Sequence, residues 1–376
     1  MKADAKMVGA TAMTTLERWR RTFRFEKVDR LPLYTMGGWR PETYERWTRE
    51  GLSEDWARTN YFGEDRVLAT GVHLGTNGTS PFFPRFERRT IEDTGEFVVV
   101  RDEHGRTVRH RKGTGPGINQ HVAFPVSSRD DWDEVKRRLD PSGEDRYAGL
   151  ESAVERHKAD PDIPVSQALC GTFRMLWHAF GDVGMAYALH DEPELIHDIM
   201  EHWLHLQTTA ISRTMKILPI NLFTIMEDMS CKNGMLVSPT TFREFMMPYY
   251  KQLVSHMRGF STVFGVWVDS DGDVNELLPL LLECGINGCY PFEVQSGMDV
   301  VKMRETYGAR LVIRGGIDKR ALFGAKKEID REVDRVLPTF LKTGGYFISL
   351  DHSASPDISL ENYMYFLSAV KSRQPQ

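Results

Sequence analysis

The stretch Thr262-Val-Phe-Gly-Val-Trp-Val268 is an apolar run, and the acidic loop Asp269-Ser-Asp-Gly-Asp273 follows it. A strand that is apolar on both faces is typical of a parallel sheet with helices covering both sides. Asp273 and Glu276 then resemble a capping box opening a helix that ends at Gly285, and Ile286 to Phe292 forms the next strand. This segment therefore predicts a β-α-β unit.

The same alternation extends outward in both directions. Further strands are predicted over 31–36, 163–169, 222–226, 311–317 and 346–350, and helices over 15–24, 41–51, 192–215, 238–257, 300–307, 325–342 and 361–371. A dinucleotide-binding glycine fingerprint is absent from the sequence, and 376 residues suit a barrel with insertions. We therefore predict an α/β fold of the (β/α)₈ TIM-barrel type, with residues 1–376 as one domain.

Residues 72–128 differ from the rest of the chain because they are rich in Gly, Pro, Thr and β-branched residues. Within them, Phe97 to His110 has the pattern of a hairpin with a glycine turn. We interpret this segment as a β-rich insertion near the N-terminus that serves as a lid or as a contact between two copies of the chain.

Composition narrows the class of protein. The net charge of −5 and the pI near 6.2 argue against a nucleic-acid surface. No run of 18 apolar residues and no secretion signal are present, and four cysteines are too few for a disulfide framework. We expect a cytoplasmic enzyme, with Cys284 and Cys289 buried for structural reasons.

Polar side chains follow four predicted strands, where the active site of a barrel lies. They are Glu227-Asp228, the Asp269–Asp273 loop, Glu293 and Asp351-His352-Ser353. Gathering carboxylates at one rim is costly unless a ligand, metal or proton compensates their charge. Simpler roles remain open: Asp273 as a helix cap, Asp269 and Asp271 as loop acceptors, His352 as a structural histidine, and Glu293 paired with Arg314.

Asp269, Asp271 and His352 form a possible metal site. Alternate residues of a strand end point to the same side, so the two aspartates and one imidazole would offer mostly oxygen ligands. Such a set suits a harder ion than a thiolate-bound zinc does. Aromatic residues and Met226 near the predicted mouth suit either a flat apolar ligand or barrel packing.

Four stretches carry a resemblance to a known superfamily: Glu227-Asp-Met-Ser-Cys-Lys-Asn-Gly234, Val268-Asp-Ser-Asp-Gly-Asp273, Arg314-Gly-Gly-Ile-Asp-Lys-Arg-Ala-Leu322 and Asp351-His-Ser-Ala-Ser-Pro-Asp-Ile-Ser359. From about residue 16 to 371 the chain resembles the uroporphyrinogen decarboxylase-like superfamily. That resemblance implies a (β/α)₈ barrel and two branches of activity. One branch decarboxylates uroporphyrinogen without a cofactor, and the other contains zinc-dependent methyltransferases linked to corrinoid carriers.

The chain departs from both branches. In Met36-Gly-Gly-Trp-Arg-Pro-Glu42, glycines stand where the decarboxylases have arginines that bind the substrate carboxylates. Asp269, Asp271 and His352 stand where the methyltransferases have a His-x-Cys pair and a later Cys as zinc ligands. A metal ion held by two carboxylates and one imidazole activates a thiol less well than a zinc ion held by one imidazole and two thiolates does. We therefore place the chain closer to the methyltransferases. Instead of alkylation of a thiol, it could transfer a methyl or other group from an ether, amine or halide substrate, or carry out a metal-free acid–base reaction.

The resulting hypothesis is methyl transfer between a small methylated substrate and a corrinoid or other carrier. It assigns catalysis to Glu227, Asp228 and His352, and a divalent metal, zinc or a harder ion, to Asp269, Asp271 and His352. The expected substrate-binding residues are Trp39, Arg40, Trp267, Tyr290, Glu293 and Arg314. A corrinoid protein and a second copy of the chain are the expected partners, besides the small-molecule substrate. The alternatives are a cofactor-free decarboxylase or lyase acting on a smaller acid, and a non-catalytic corrinoid- or tetrapyrrole-binding protein.

Overall fold

The computed structural model describes residues 13–35, 39–112 and 119–375. The strands are β1 Leu68–Ala69, β2 Arg89–Asp93, β3 Phe97–Arg101, β4 Thr107–Arg111, β5 Gln120–Ala123, β6 Val165–Cys170, β7 Leu222–Met226, β8 Ser230–Cys231, β9 Gly234–Met235, β10 Gly265–Asp269, β11 Gly288–Tyr290, β12 Val312–Arg314 and β13 Tyr346–Phe347. The α-helices are α1 Thr15–Phe23, α2 Pro41–Arg49, α3 Trp56–Thr59, α4 Arg129–Val135, α5 Leu150–Ala159, α6 Thr172–Asp191, α7 Pro193–Met215, α8 Pro239–Phe245, α9 Met247–Arg258, α10 Leu277–Glu283, α11 Val300–Tyr307, α12 Lys326–Thr343 and α13 Leu360–Ser372.

Seven parallel strands form a curled sheet in the order β1-β6-β7-β10-β11-β12-β13. An eighth extended segment, around Leu33, joins β13 through a parallel bridge from Leu33 to Ile348. β10 is buried along its whole length and pairs with β7 and β11, as its apolar sequence predicts. The predicted (β/α)₈ barrel is therefore confirmed.

The barrel closes through Asp65, which precedes β1, and not through a regular pair of strands. The Asp65 backbone N–H donates to the Leu33 carbonyl at 2.8 Å, and the Leu33 N–H donates to the Asp65 carboxylate at 2.8 Å. The same carboxylate accepts bonds from Arg18 at 2.7 Å and from Arg30 at 2.7 and 2.9 Å. One buried carboxylate thus joins the first segment of the barrel wall to the rest.

Large side chains fill the interior of the barrel, and we call this group the lumen cluster. Its members are Trp19, Phe23, Leu222, Phe264, Trp267, Tyr290, Val312 and Phe347. Trp19 and Phe23 come from α1, whose Thr14 side chain caps the helix N-terminus. A Cβ added to Gly265 would lie 2.5 Å from the Phe23 ring, which places α1 at the amino ends of the strands. The floor of the barrel is therefore closed, and its open face is at the carboxyl ends.

The predicted insertion contains a four-stranded antiparallel sheet, β2-β3-β4-β5, and its central hairpin turns at Gly105 with a φ of +85°. This sheet packs on α6. The rings of His121 and Phe124 lie 5.5 and 5.4 Å from that of Trp177, and the Val126 N–H donates to the Ala179 carbonyl. Its service as a lid or a dimer contact stays a prediction.

Three details of the predicted elements are wrong. Asp273 makes a turn with the Asn275 N–H, so no capping box opens α10, which begins at Leu277. The helix predicted over 238–257 divides at Met246 because Pro248 cannot donate the backbone bond that a continuous helix needs. The segment predicted as a strand over 31–36 forms only the Leu33 bridge, and Met36 lies outside the described residues.

Candidate active site

Four carboxyl groups and one imidazole meet at the carboxyl ends of β7, β10, β11 and β13, and we call them the rim cluster. Its members are Asp228, Asp269, Asp271, Glu293 and His352. Possible ligand atoms of Asp271, Glu293 and His352 all lie within 4.8 Å of one another, and so do those of Asp228, Asp269 and Asp271. Residues far apart in sequence therefore converge because the carboxyl ends of parallel strands share one edge.

Asp271 is the residue that the two groups share. The Asp271 Oδ2 atom lies 3.5 Å from His352 Nε2, and the Asp271 backbone N–H donates to Asp228 at 3.5 Å. The loop is held by Glu293, which accepts from the Gly272 N–H at 3.0 Å and from the Ser296 hydroxyl at 3.3 Å. The Asp-Ser-Asp-Gly turn thus places Asp271 between the imidazole and the other carboxylates.

Apart from the His352 imidazole, the carboxyl groups of the rim cluster have no cationic ion-pair partner among the described residues. Within the described residues, none of its four carboxyl groups lies within ion-pair distance of a lysine or arginine. Burial, followed by the charges of Asp228 and Asp271, raises the pKa of Asp269 to about 8. Burial and then the charge of Asp271 also raise the pKa of Asp228. The site therefore holds a proton on Asp269 at neutral pH, or gains a cation in its place.

The pKa of the His352 imidazole is raised, although burial by itself lowers the pKa of a histidine. Its hydrogen bond with Asp271 raises its pKa, against the lowering effect of burial and of the Lys319 charge. Its other ring nitrogen, Nδ1, lies 3.0 Å from the Ser353 hydroxyl oxygen. Because Ser353 orients the ring, Nε2 faces the carboxylates and is the nitrogen available to a ligand.

The predicted triad of Asp269, Asp271 and His352 is changed by the geometry. Asp271 and His352 come together, but Glu293 completes their group, and Asp269 belongs to the set with Asp228. Asp269 ends β10 and points toward the interior, whereas Glu293 reaches back from the loop after β11 to Gly272. Glu293, which we expected to bind substrate, is thus a better candidate ligand than Asp269.

Glu227, predicted as a catalytic group, is fully buried and occupied by a structural contact. It accepts bonds from the Thr172 hydroxyl at 2.9 Å, from the Phe173 N–H at 3.2 Å and from the Arg174 N–H at 3.3 Å, and also from the Tyr250 hydroxyl. Thr172, Phe173 and Arg174 form the N-terminus of α6, where a carboxylate replaces the missing intrahelical acceptors, and Tyr250 reaches the same carboxylate from α9. Its position therefore favours a role as the cap of α6.

We expect Glu227→Gln to lower the free energy of unfolding by about 2 kcal/mol, because an amide group brings N–H donors toward several buried donors. Guanidinium unfolding followed by tryptophan fluorescence measures this loss. Glu201→Gln, an exposed change on α7, is the control and should have no measurable effect. An unchanged free energy of unfolding in Glu227→Gln would mean that the carboxylate cap of α6 makes no net contribution to stability.

The aromatic residues among the expected substrate-binding residues occupy two different environments. Trp267 and Tyr290 are 1% and 5% exposed and belong to the lumen cluster, with the Trp267 Nε1–H donating to Thr224. Trp39 packs instead against the rings of Trp47, Trp56 and Phe62. Packing uses much of the surface of these three side chains, which favours the barrel-packing alternative, and their role in substrate binding stays a prediction.

The two arginines expected to bind substrate also differ. Arg314 is buried, donates to the Tyr34 and Thr35 carbonyls at 3.0 and 2.8 Å, and lies over the Tyr34 ring at 4.0 Å. The alternative pairing of Arg314 with Glu293 is therefore not formed. Arg40 is exposed at the N-terminus of α2, where it makes no side-chain cap.

Sequence reasoning missed one cation close to the rim cluster. Arg174, on the first turn of α6, lies over the Trp177 ring at 4.2 Å and donates to the Asn77 carbonyl at 2.5 Å. Its charge lowers the pKa of Asp228 against the stronger effect of burial. Its position directly after β6 was the available signal. The cysteine expectation is confirmed: Cys284 and Cys289 are buried and free.

No helix among the residues that the structure describes is both long and apolar enough to cross a bilayer.

Comparison with known proteins places the chain in a family. The family model described as "Uroporphyrinogen decarboxylase (URO-D)" matches residues 96–373. A uroporphyrinogen decarboxylase of Magnetococcus marinus is 23% identical, over 92% of this chain and 93% of its own. A uroporphyrinogen decarboxylase of Danio rerio is 23% identical over 75% of each chain.

A solved structure described as a methyltransferase from Methanosarcina mazei has a TM-score of 0.62 at 14% identity, covering 96% of this chain and 99% of that one. This likeness shows the shared fold. The match of the family model, which covers more than half of the sequence, means that the chain belongs to the uroporphyrinogen decarboxylase (URO-D) family.

Proposed function

We propose that this protein is a metal-dependent methyltransferase in which Asp271, Glu293 and His352 bind a divalent cation. The observation that carries the proposal is the Asp271–Glu293–His352 group. Its possible ligand atoms lie within 4.8 Å of one another, and no lysine or arginine of the described part of the chain forms an ion pair with it. Two carboxylates and one imidazole fit a zinc ion or a harder cation such as Mn²⁺. The same donors suit thiol activation poorly, since none of them is a thiolate.

The ligand set points to a methyl group carried on oxygen or nitrogen. A bound cation would act as a Lewis acid on the heteroatom that leaves with the electrons of the broken bond. The methyl group passes to a reduced corrinoid carrier as the second substrate, and the leaving heteroatom needs a proton. Asp228 is placed to supply it, because its carboxyl group lies beside Asp271 in the rim cluster and burial raises its pKa.

A metal-binding experiment tests the first half of this proposal. Chain treated with a chelator and then dialysed should bind one equivalent of Mn²⁺ or Zn²⁺ in calorimetry. The metal-loaded protein should transfer methyl groups from methoxylated or methylated-amine donors to cob(I)alamin, measured by the change in corrinoid absorbance. Removal of the metal should abolish this transfer, and the absence of stoichiometric binding by either cation would contradict the site.

The second candidate is a decarboxylase that acts on a small acid without a metal. The protonated Asp269, with a pKa near 8 set first by burial, favours it, because a buried acid can protonate a carbanion after carbon dioxide leaves. The curated relatives named above are uroporphyrinogen decarboxylases. Carbon dioxide release that persists in chelator and is lost in Asp269→Asn would favour this candidate over methyl transfer.

A further inference from the structure

The wall of the barrel has a gap between its first segment and β1. β1 pairs with β6, and the segment around Leu33 bridges only to β13. Between Leu33 and β1 no strand pairing closes the wall in the described part of the chain, and the contacts there are those of Asp65 with Leu33 and of Glu64 with Thr35. Such a gap leaves room for a side entrance that regular strand pairing would fill.

A pocket of about 850 Å³ lies outside this gap, and we call it the lateral pocket. Its walls carry aromatic rings of Trp56, Tyr61 and Phe62, and it reaches inward to Tyr34 of the barrel interior. Its volume lies within the range of pockets for small organic ligands, about 300–1,000 Å³. The lateral pocket shares no lining residue with the rim cluster.

The rim of the lateral pocket carries unpaired positive charge. Within the ranges that the structure describes, the Arg66 side chain has no hydrogen bond or ion pair, and that of Arg156 donates only to the carbonyl of Ser152 in its own helix. Arg58, at the same rim, is paired with Asp55 at 2.5 Å. Asp160 lies there too, but no ion pair joins it to Arg156. Two free guanidinium groups beside aromatic walls are typical of a site for an anion on a planar body.

Glu64 supplies the polar group deep in the lateral pocket. Its carboxyl group accepts a hydrogen bond from the Thr35 hydroxyl, and no lysine or arginine among the described residues lies within ion-pair distance. Burial raises its pKa, against the attraction of the Arg314 charge inside the barrel. A half-buried carboxyl group with free acceptor capacity is a partner for an N–H or O–H group of a ligand.

We propose that the lateral pocket is a second ligand site, which binds a planar aromatic acid that also carries a hydrogen-bond donor. The anionic end lies between Arg66 and Arg156, the rings pack against Trp56, Tyr61 and Phe62, and the donor reaches Glu64. The Tyr34 ring lines this pocket, and the Arg314 guanidinium lies over the same ring at 4.0 Å. The bound ligand therefore reaches a ring that also contacts Arg314 inside the barrel.

Two matched probes test the proposal on the full chain. They are 6-amino-2-naphthoate, which has an N–H donor, and 6-methyl-2-naphthoate, which has the same shape without one. In calorimetry both should bind saturably, with the amino compound at least fivefold tighter. Arg66→Gln with Arg156→Gln should weaken both at least tenfold, since both side chains are exposed and their loss spares the core. Glu64→Gln should remove most of the advantage of the amino compound.

The control is Arg58→Gln, which lies on the same rim but removes a charge already paired with Asp55. It should change either affinity less than twofold. Circular dichroism of each variant should match that of the unchanged chain. No saturable binding of either naphthoate at millimolar concentration would overturn the proposal. It would also be overturned by equal losses in Arg58→Gln and in the double variant, or by an unchanged preference in Glu64→Gln.

Discussion

Asp271→Asn is expected to weaken binding of Mn²⁺ or Zn²⁺ about 100-fold or more, because it removes a charged ligand from the centre of the rim cluster. Asp271 is the residue shared by both groups of possible ligands, and it lies 3.5 Å from the His352 imidazole. An amide keeps the shape of the side chain but loses the charge and offers one oxygen. Calorimetry with protein first treated with a chelator gives the two dissociation constants.

Asp273→Asn provides the matched control for this loss. It removes the same charge from the same loop, but Asp273 accepts from the backbone and side chain of Asn275. We expect less than a threefold change in the dissociation constant. If both variants lose affinity equally, the effect comes from the total charge of the loop and Asp271 is not a ligand. Methyl transfer should follow the metal, with activity lost in Asp271→Asn and kept in Asp273→Asn.

Asp65→Asn is expected to lower the free energy of unfolding by about 3 kcal/mol, because it leaves the charge of Arg18 without one of its buried partners. The Asp65 side chain is 1% exposed and that of Arg18 is 6% exposed, so water cannot replace the lost contact. Asparagine has the size of aspartate, which separates loss of charge from loss of packing. The N–H of Leu33 also faces this group, so the barrel closure itself weakens.

Guanidinium unfolding, followed by the fluorescence of the eight tryptophans, measures the effect of Asp65→Asn. The control is Asp334→Asn, which breaks an exposed pair with Arg373 and should leave the midpoint unchanged. A result for Asp65→Asn within experimental error of the control would mean that strand pairing elsewhere, and not this carboxylate, closes the barrel.

Much of the fold could be predicted because its local signals agree with the global structure. β7 spans Leu222–Met226 and α11 spans Val300–Tyr307, the same bounds as predicted, since an apolar run or a helix start marks each one. α6 was missed for a physical reason. Its residues from Phe173 to Phe180 are almost all buried, so no apolar stripe with a helical period appears.

The candidate site was predicted in its place but not in its detail. Position followed from topology, because residues after parallel strands meet at one face. The choice between Asp269 and Glu293 depended on the Glu293 bond to Gly272, and that contact joins two loops. The role of Glu227 depended on α6, which it caps. Sequence spacing alone records neither of these tertiary contacts.

The position of α1 has a consequence for biosynthesis. Trp19 and Phe23 contact Phe347, which is made more than three hundred residues later. Helices form quickly, but contacts between distant parts of a chain form slowly. The nascent α1 therefore cannot complete its packing until β13, the last strand of the barrel sheet in chain order, has been made.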